Sequence, residues 1–319
     1  MQRLERAGAI SSTRVRDAFL AVPRERFLPG LPLQAVYRDE AILTRRDATG
    51  APASSSSQPA IMALMLERLE LEPGQRVLEI GAGTGYNAAL LSTIAGHGRV
   101  VSVELDPETA AEARRALEGY GVEVVTGDGR VGWATGAPYS RLIVTASAES
   151  VPRAWHDQLA EGGIAVVPLR LGSGAPQAIP ALRKTAGGFR SVSVLCGGFM
   201  PLRGGPPGRH ATPVAPAGPP RLRPFPGPMQ RWMFALYVAL EAPDEAYVDQ
   251  DHGFGVTVED GVALVTESGL AAWGGPAAEE LLGRLLEDWR ARGRPGEREL
   301  TITVDYVNGE SRLTHAWQD

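Results

Sequence analysis

A chain of 319 residues with 44% hydrophobic and 22% charged side chains has enough apolar material for one large domain or two ordinary ones. Its formal net charge of −5 argues against a sequence-independent grip on nucleic acid, which needs a basic footprint. A single cysteine, Cys196, excludes an internal disulfide and a cysteine-based metal cluster. No apolar run reaches membrane-span length and Met1 to Ala9 lacks a signal-type core, so the expectation is a cytoplasmic protein with no membrane contact.

Residues 1–75 read as a helical segment. Val15, Phe19 and Val22 recur at helical spacing until Pro23 ends the pattern. Arg45 to Ser57 is rich in Ala, Ser, Gly and Pro and reads as a loop, after which Pro59 opens an apolar helix through Met62, Met65, Leu66 and Leu69. From residue 76 strands and helices alternate. The strand candidates are Val77–Ile80, Val100–Glu104, Val122–Thr126, Arg141–Thr145 and Ile164–Leu169. The helix candidates are Asn87–Ala95, Pro107–Tyr120 and Pro152–Leu159. Such alternation implies an α/β fold, a doubly wound, Rossmann-like sheet covered on both faces, here over residues 76–204. Shorter strands follow, including Val192–Cys196, and residues 205–228 read as a Pro/Gly-rich linker. Residues 229–319 are expected to form a small α+β domain. Its strands are Met233–Leu240, Gly255–Val258, Ala263–Thr266 and Leu300–Val307, with a helix from Pro276 whose stripe is Leu281, Leu285 and Trp289.

The most informative stretch is Val77 to Tyr86, Val-Leu-Glu-Ile-Gly-Ala-Gly-Thr-Gly-Tyr. A strand meets a glycine turn and then a helix, and Gly81, Gly83 and Gly85 follow a G-x-G-x-G spacing. A dinucleotide fingerprint wants its third glycine one place later, where Tyr86 stands. Three acids fall at successive strand ends: Glu79, Glu104 and Asp128. In a doubly wound sheet those ends open onto one crevice. A cluster of carboxylates repels a pyrophosphate but suits S-adenosylmethionine, which carries a sulfonium, an ammonium and ribose hydroxyls. The expected roles are Glu79 near the methionine end, Glu104 on the ribose and Asp128 near the adenine amine. The competing reading of any one acid is a helix cap or a solvated loop charge, and Asp106 before Pro107 reads as such a cap.

Further strings carry a family resemblance. They include Ala-Val-Pro-Arg-Glu-Arg-Phe-Leu-Pro (21–29), Val-Tyr-Arg-Asp-Glu-Ala-Ile (36–42), Ser-Gln-Pro (57–59) and Gly-Asp-Gly-Arg-Val-Gly-Trp (127–133). Ala-Pro-Tyr (137–139), Leu-Ile-Val-Thr-Ala (142–146), Val-Pro (151–152), Gln-Leu-Ala-Glu-Gly-Gly (158–163) and Gly-Phe-Met-Pro-Leu (198–202) complete the set. From about Thr13 to Gly204 the chain resembles the protein-L-isoaspartate O-methyltransferases. The resemblance implies a class I methyltransferase fold with S-adenosylmethionine as cofactor and a peptide or protein bearing an Asp or isoAsp carboxylate as partner. It places the catalytic serine on Ser57, with Ser54, Ser55 and Ser56 blurring the register, and extends cofactor contact to Ser56, Leu105 and Gly129. The bland reading of Ser57 is a helix cap before Pro59.

Two departures stand out. The family's short approach to its serine is here the longer Asp47 to Ser56 stretch, and the chain runs more than a hundred residues past the Phe-Met-Pro-Leu strand. Extended relatives of this family esterify one aspartate of a lanthipeptide, lasso peptide or graspetide precursor, leading to an aspartimide. By that analogy the expectation is a dedicated peptide substrate. The alternatives are broad isoaspartate repair and a non-catalytic S-adenosylmethionine-binding module. His97, His156, His210, His252 and His315 show no metal-ligand spacing, so no metal is expected. Arg203, Arg209, Arg221 and Arg223 read as solvated charge, with contact to an acidic peptide as the alternative.

Overall fold

A computed structural model describes residues 1–171, 177–204, 218–225, 231–249, 253–258 and 261–318. The linker segments 205–217 and 226–228 fall outside the described residues, as do Arg209, His210 and His252.

The N-terminal segment is helical in part, with α1 (Gln2–Arg6), α2 (Thr13–Ala21), α3 (Leu33–Val36) and α4 (Pro59–Leu69). Ser12 caps α2 by accepting from the Val15 amide, and Pro59 occupies the first turn of α4. The stretch expected to be a loop is instead a hairpin. β1 (Ile42–Arg46) pairs antiparallel with β2 (Pro52–Ser56), and the Asp47 carboxylate accepts from the Thr49 and Ala51 amides across the turn. Its serines and arginines hid it, because neither face of this ribbon is apolar.

From there the alternation is as the sequence indicates. β3 (Val77–Ile80), α5 (Tyr86–Ala95), β4 (Val100–Glu104), α6 (Pro107–Ala116), β5 (Glu123–Thr126), β6 (Tyr139–Val144), α7 (Arg153–Gln158) and β7 (Leu159–Val166) follow in order. Strands β5, β4, β3, β6 and β7 lie side by side and parallel. The chain builds outward on one side of β3 and then returns to the other, so the strand order reverses between β3 and β6. That reversal opens the crevice at their C-terminal ends. One buried cluster, with Leu66, Leu90 and Val77, sits under the helices of one face. A second, with Trp155, Leu78 and Val144, sits under the other.

The sheet continues antiparallel through β8 (Gln177–Lys184) and β9 (Gly188–Gly197). Pro180 disguises β8 in the sequence; it stands beside the irregularity between Ala181 and Leu182. The last 90 residues begin with a correction. Met233–Leu240 is no strand: α8 (Arg231–Glu241) contains it. Phe234 to Ala239 are all buried, with Leu236 joining the core of the central sheet and its neighbours facing the appendage. A helix buried all round has no polar stripe, so its sequence cannot be told from a buried strand.

A second sheet combines β10 (Arg221–Arg223), β11 (Ala246–Asp249), β12 (Gly253–Val258), β13 (Gly261–Thr266) and β14 (Gly269–Trp273), all antiparallel. The helix α9 (Ala277–Ala291) covers it, and its buried stripe is Ala278, Leu282, Leu286 and Trp289. Leu281 and Leu285, expected to lead that stripe, flank it half-buried. The final hairpin, β15 (Leu300–Val307) and β16 (Glu310–Trp317), leaves the appendage. β15 pairs with β9 and extends the central sheet to nine strands. None of the described helices is long and apolar enough to cross a membrane.

Candidate active site

A cavity of about 550 Å³ opens at the strand-order reversal. Its floor is the glycine loop. Gly81 has φ +95°, and a Cβ there would lie 2.5 Å from Thr145 Oγ1, which itself donates to the Gly81 carbonyl at 2.6 Å. The loop is thus pressed against the end of β6, and only glycine permits both the backbone angle and the approach. Gly83, at φ +52°, donates its amide to Glu104 Oε2 at 3.0 Å. The other oxygen of Glu104 accepts from the Asp106 amide at 3.1 Å. This carboxylate at the end of β4 lies on the cavity wall with little solvent exposure, held at two points with lone pairs to spare. Leu105 and Gly129 complete this wall; a Cβ on Gly129 would collide with Ile80.

The other side is formed by the serine segment. Ser54, Ser55, Ser57 and Gln58 line the cavity, and Ser57 also faces a small adjoining hollow under Gly81 and Gly83. The Ser57 hydroxyl has no hydrogen-bond partner among the described residues. The helix-cap reading of Ser57 is therefore not what the structure shows: the residue before α4 is Gln58, and Asp39 Oδ1 takes the Ala60 amide at 2.8 Å. Asp39 Oδ2 accepts from Gln58 Nε2 at 3.1 Å, which fixes the start of α4 to the segment before β1.

Four expected site residues stand elsewhere. Glu79 is fully buried beneath the loop, where its carboxyl accepts from Asn87 Nδ2 at 2.8 Å and from the Ser102 hydroxyl. Burial raises its pKa to about 7. Asp128 turns away to Arg130, whose guanidinium takes both of its oxygens and holds its pKa below the ordinary carboxylate range. Of the three acids at strand ends, only the Glu104 side chain reaches the cavity. Gly85 starts α5 with φ +88° and packs on Leu117. The Ser56 hydroxyl is buried and accepts from Arg24 Nη2 at 3.2 Å, so it backs the smaller hollow rather than the cavity.

Three other residues shape the site and were not singled out from sequence: Arg24, Asp39 and Thr145. All three lie in strings that carried the family resemblance, but no periodicity marked them. Cys196 also lines the cavity, and burial pushes its thiol up to about 12, far from a reactive thiolate. Among the described lining residues there is no histidine.

These parts fit one kind of donor. A carboxylate poised over a glycine loop at the β4 end suits vicinal ribose hydroxyls, and the wall offers Leu105 as an apolar face for a base. A pyrophosphate would meet the Glu104 charge. The fold and site define a class I S-adenosylmethionine-dependent methyltransferase.

The comparisons give the family. Its sequence profile, "Protein-L-isoaspartate(D-aspartate) O-methyltransferase", matches residues 1–205, and the chain belongs to that family. A protein-L-isoaspartate O-methyltransferase of Thermotoga maritima is 44% identical over 165 residues, which take in 50% of this chain and 51% of that relative. One of Ignicoccus hospitalis is 38% identical over 199 residues, 61% of this chain and 91% of that protein. The chain thus spans about half the length of the first and nine tenths of the second. A solved protein-L-isoaspartate O-methyltransferase structure superposes with a TM-score of 0.61 at 30% identity, covering 98% of this chain and 97% of that one.

Proposed function

We propose that this enzyme transfers a methyl group from S-adenosylmethionine to the free carboxylate of isoaspartyl residues in proteins. The observation that carries the reading is the convergence of Ser57 and Glu104 on one cavity, with the glycine loop between them in the chain's fold. When bound, S-adenosylmethionine supplies a methyl group on a cationic sulfur. The acceptor is a carboxylate with an unperturbed pKa of about 4, already ionised at neutral pH, so it needs no general base. What remains for the protein is alignment and the exclusion of water. Ser57 is suited to hold the acceptor carboxylate by donating its hydroxyl, which no other described group claims. Glu104 is suited to hold the ribose, and Gly83 fixes the carboxylate that does so.

The expectation of one dedicated precursor peptide rested on the length of chain beyond Gly204. An enzyme named for isoaspartate methylation covers 98% of this chain, so that length no longer favours a dedicated substrate. General repair is the better-supported reading.

The test is a pair of peptides differing only in whether one residue is isoaspartyl or aspartyl, assayed with labelled methyl donor. The expected result is label in the isoaspartyl peptide alone. Label in the aspartyl peptide, or in neither, contradicts the proposal.

A further inference from the structure

The mechanism above leaves one buried charge unused. Arg24, in the short helical turn Arg24–Phe27, is 1% exposed and forms no ion pair among the described residues. Its guanidinium spends its protons on the main chain of two segments. Nη1 donates to the Val36 carbonyl at 2.7 Å and to Arg38 at 3.3 Å, and Nη2 to Glu40 at 3.5 Å. Nη2 also donates to the Ser57 carbonyl at 2.9 Å and to Ser56 Oγ at 3.2 Å. Nε is buried with no partner, and the Tyr86 ring lies 5.9 Å from the guanidinium carbon.

A cation in such a place is costly: burial disfavours its charged form, and one donor is left unmet. An apolar side chain would fill the same space without that penalty. What an apolar side chain lacks is a planar fork able to join residues 36–40 to residues 56–57. The joined segments carry Asp39 and Ser57, both on the cavity wall. The nearby Asp39 carboxylate, bound by Gln58 and Ala60, favours the Arg24 charge from a distance but makes no ion pair with it.

We infer that Arg24 is a positioning residue for methyl transfer: by clamping the Ser57 carbonyl and the Ser56 hydroxyl to the 36–40 segment, it holds the Ser57 hydroxyl at the acceptor's place. Arg24 touches neither the donor nor the acceptor, and acts through Ser57. The inference rests on the proposed role of Ser57, but its test does not depend on it alone.

The experiment compares the full chain with Arg24→Gln and Arg24→Lys in three readouts. They are amide hydrogen exchange, S-adenosylhomocysteine binding by calorimetry, and steady-state methylation of an isoaspartyl peptide. The expected result is exchange about tenfold faster over residues 36–40 and 54–58, the scale of a lost charge-assisted hydrogen bond, with residues 77–85 unchanged. Affinity for S-adenosylhomocysteine is expected to hold. Methylation is expected to fall about tenfold in Arg24→Gln, with partial recovery in Arg24→Lys, which keeps the charge and some of the contacts. Exchange over 54–58 that rises no more than over 77–85 overturns the inference. So does an activity loss matched by an equal loss of S-adenosylhomocysteine affinity. If the unaltered chain methylates no isoaspartyl peptide, the functional reading fails, while the exchange comparison still decides the role of Arg24.

Discussion

Glu79 and Glu104 stand near the ends of the adjacent strands β3 and β4 yet do opposite things. Glu104 spends part of its carboxylate on two amides and keeps the rest on the cavity wall; Glu79 is sealed beneath the loop between Asn87 and Ser102. Burial and the neighbouring Glu104 charge raise the Glu79 pKa from 4.5 to about 7, against the pull of its two hydrogen bonds. The folded chain therefore keeps a proton there that the unfolded chain has released. Stability from this group is fully present below its unfolded pKa of 4.5 and is lost as pH rises through about 7. Glu79→Gln cannot ionise and escapes that loss. Thermal melts at about pH 5 and about pH 8 are expected to show the variant gaining on the unaltered chain at the higher pH. A difference that does not change with pH removes this assignment. The strand-end position of Glu104 was legible in the sequence because a β-strand's exit fixes where its last side chain lies. The inward turn of Glu79 and the Arg130 pairing of Asp128 were not, since each depends on a neighbour that folding supplies.

Among the elements, β3, β4 and β5 could be read almost to their ends, whereas β7 begins at Leu159, five residues before the expected Ile164, and α6 stops at Ala116, short of the expected Tyr120. Strands covered on both faces appear as continuous apolar runs, and the glycine loop and Pro107 punctuate them. The β1–β2 hairpin was lost because its ladder is polar on both faces, and α8 because its middle, residues 234–239, is buried on every side. The α8–α9 contact centres on Trp289, which is fully buried, 5.2 Å from the Phe234 ring, with Nε1 donating to the Pro295 carbonyl at 2.9 Å. Trp289→Ala is expected to cost about 3–5 kcal/mol in a denaturant titration, the range for emptying an aromatic site in a core. A loss below about 1 kcal/mol indicates that the appendage contributes little to the stability of the fold.

For the whole molecule, the family match ends at residue 205, and the chain does not divide there. β15 returns to pair with β9, and Leu300, Ile302 and Val304 join the buried cluster that holds Leu78, Ile80 and Trp155. Each such side chain contributes about 1.5–3 kcal/mol by burial, so a chain ending at Gly204 is expected to melt lower by about ten degrees or more. Equal melting temperatures would mean that the central sheet closes without this hairpin. The cavity lies at the C-terminal ends of β3 and β4 and against residues 196–203, away from the Gly188–Arg190 end of β9 that β15 joins, which is why the family's chemistry was readable from residues 13–204 while the path of the last hairpin was not.

The account stands on one cavity serving two tasks, with Glu104 for the donor and Ser57 for the acceptor. Calorimetry of S-adenosylhomocysteine binding to Glu104→Ala and Ser57→Ala tests this most directly. The account predicts affinity at least about tenfold weaker in the first, as for loss of hydrogen bonds to a charged group, and unchanged in the second. Unaltered binding by Glu104→Ala, or an equal loss in both variants, would contradict it.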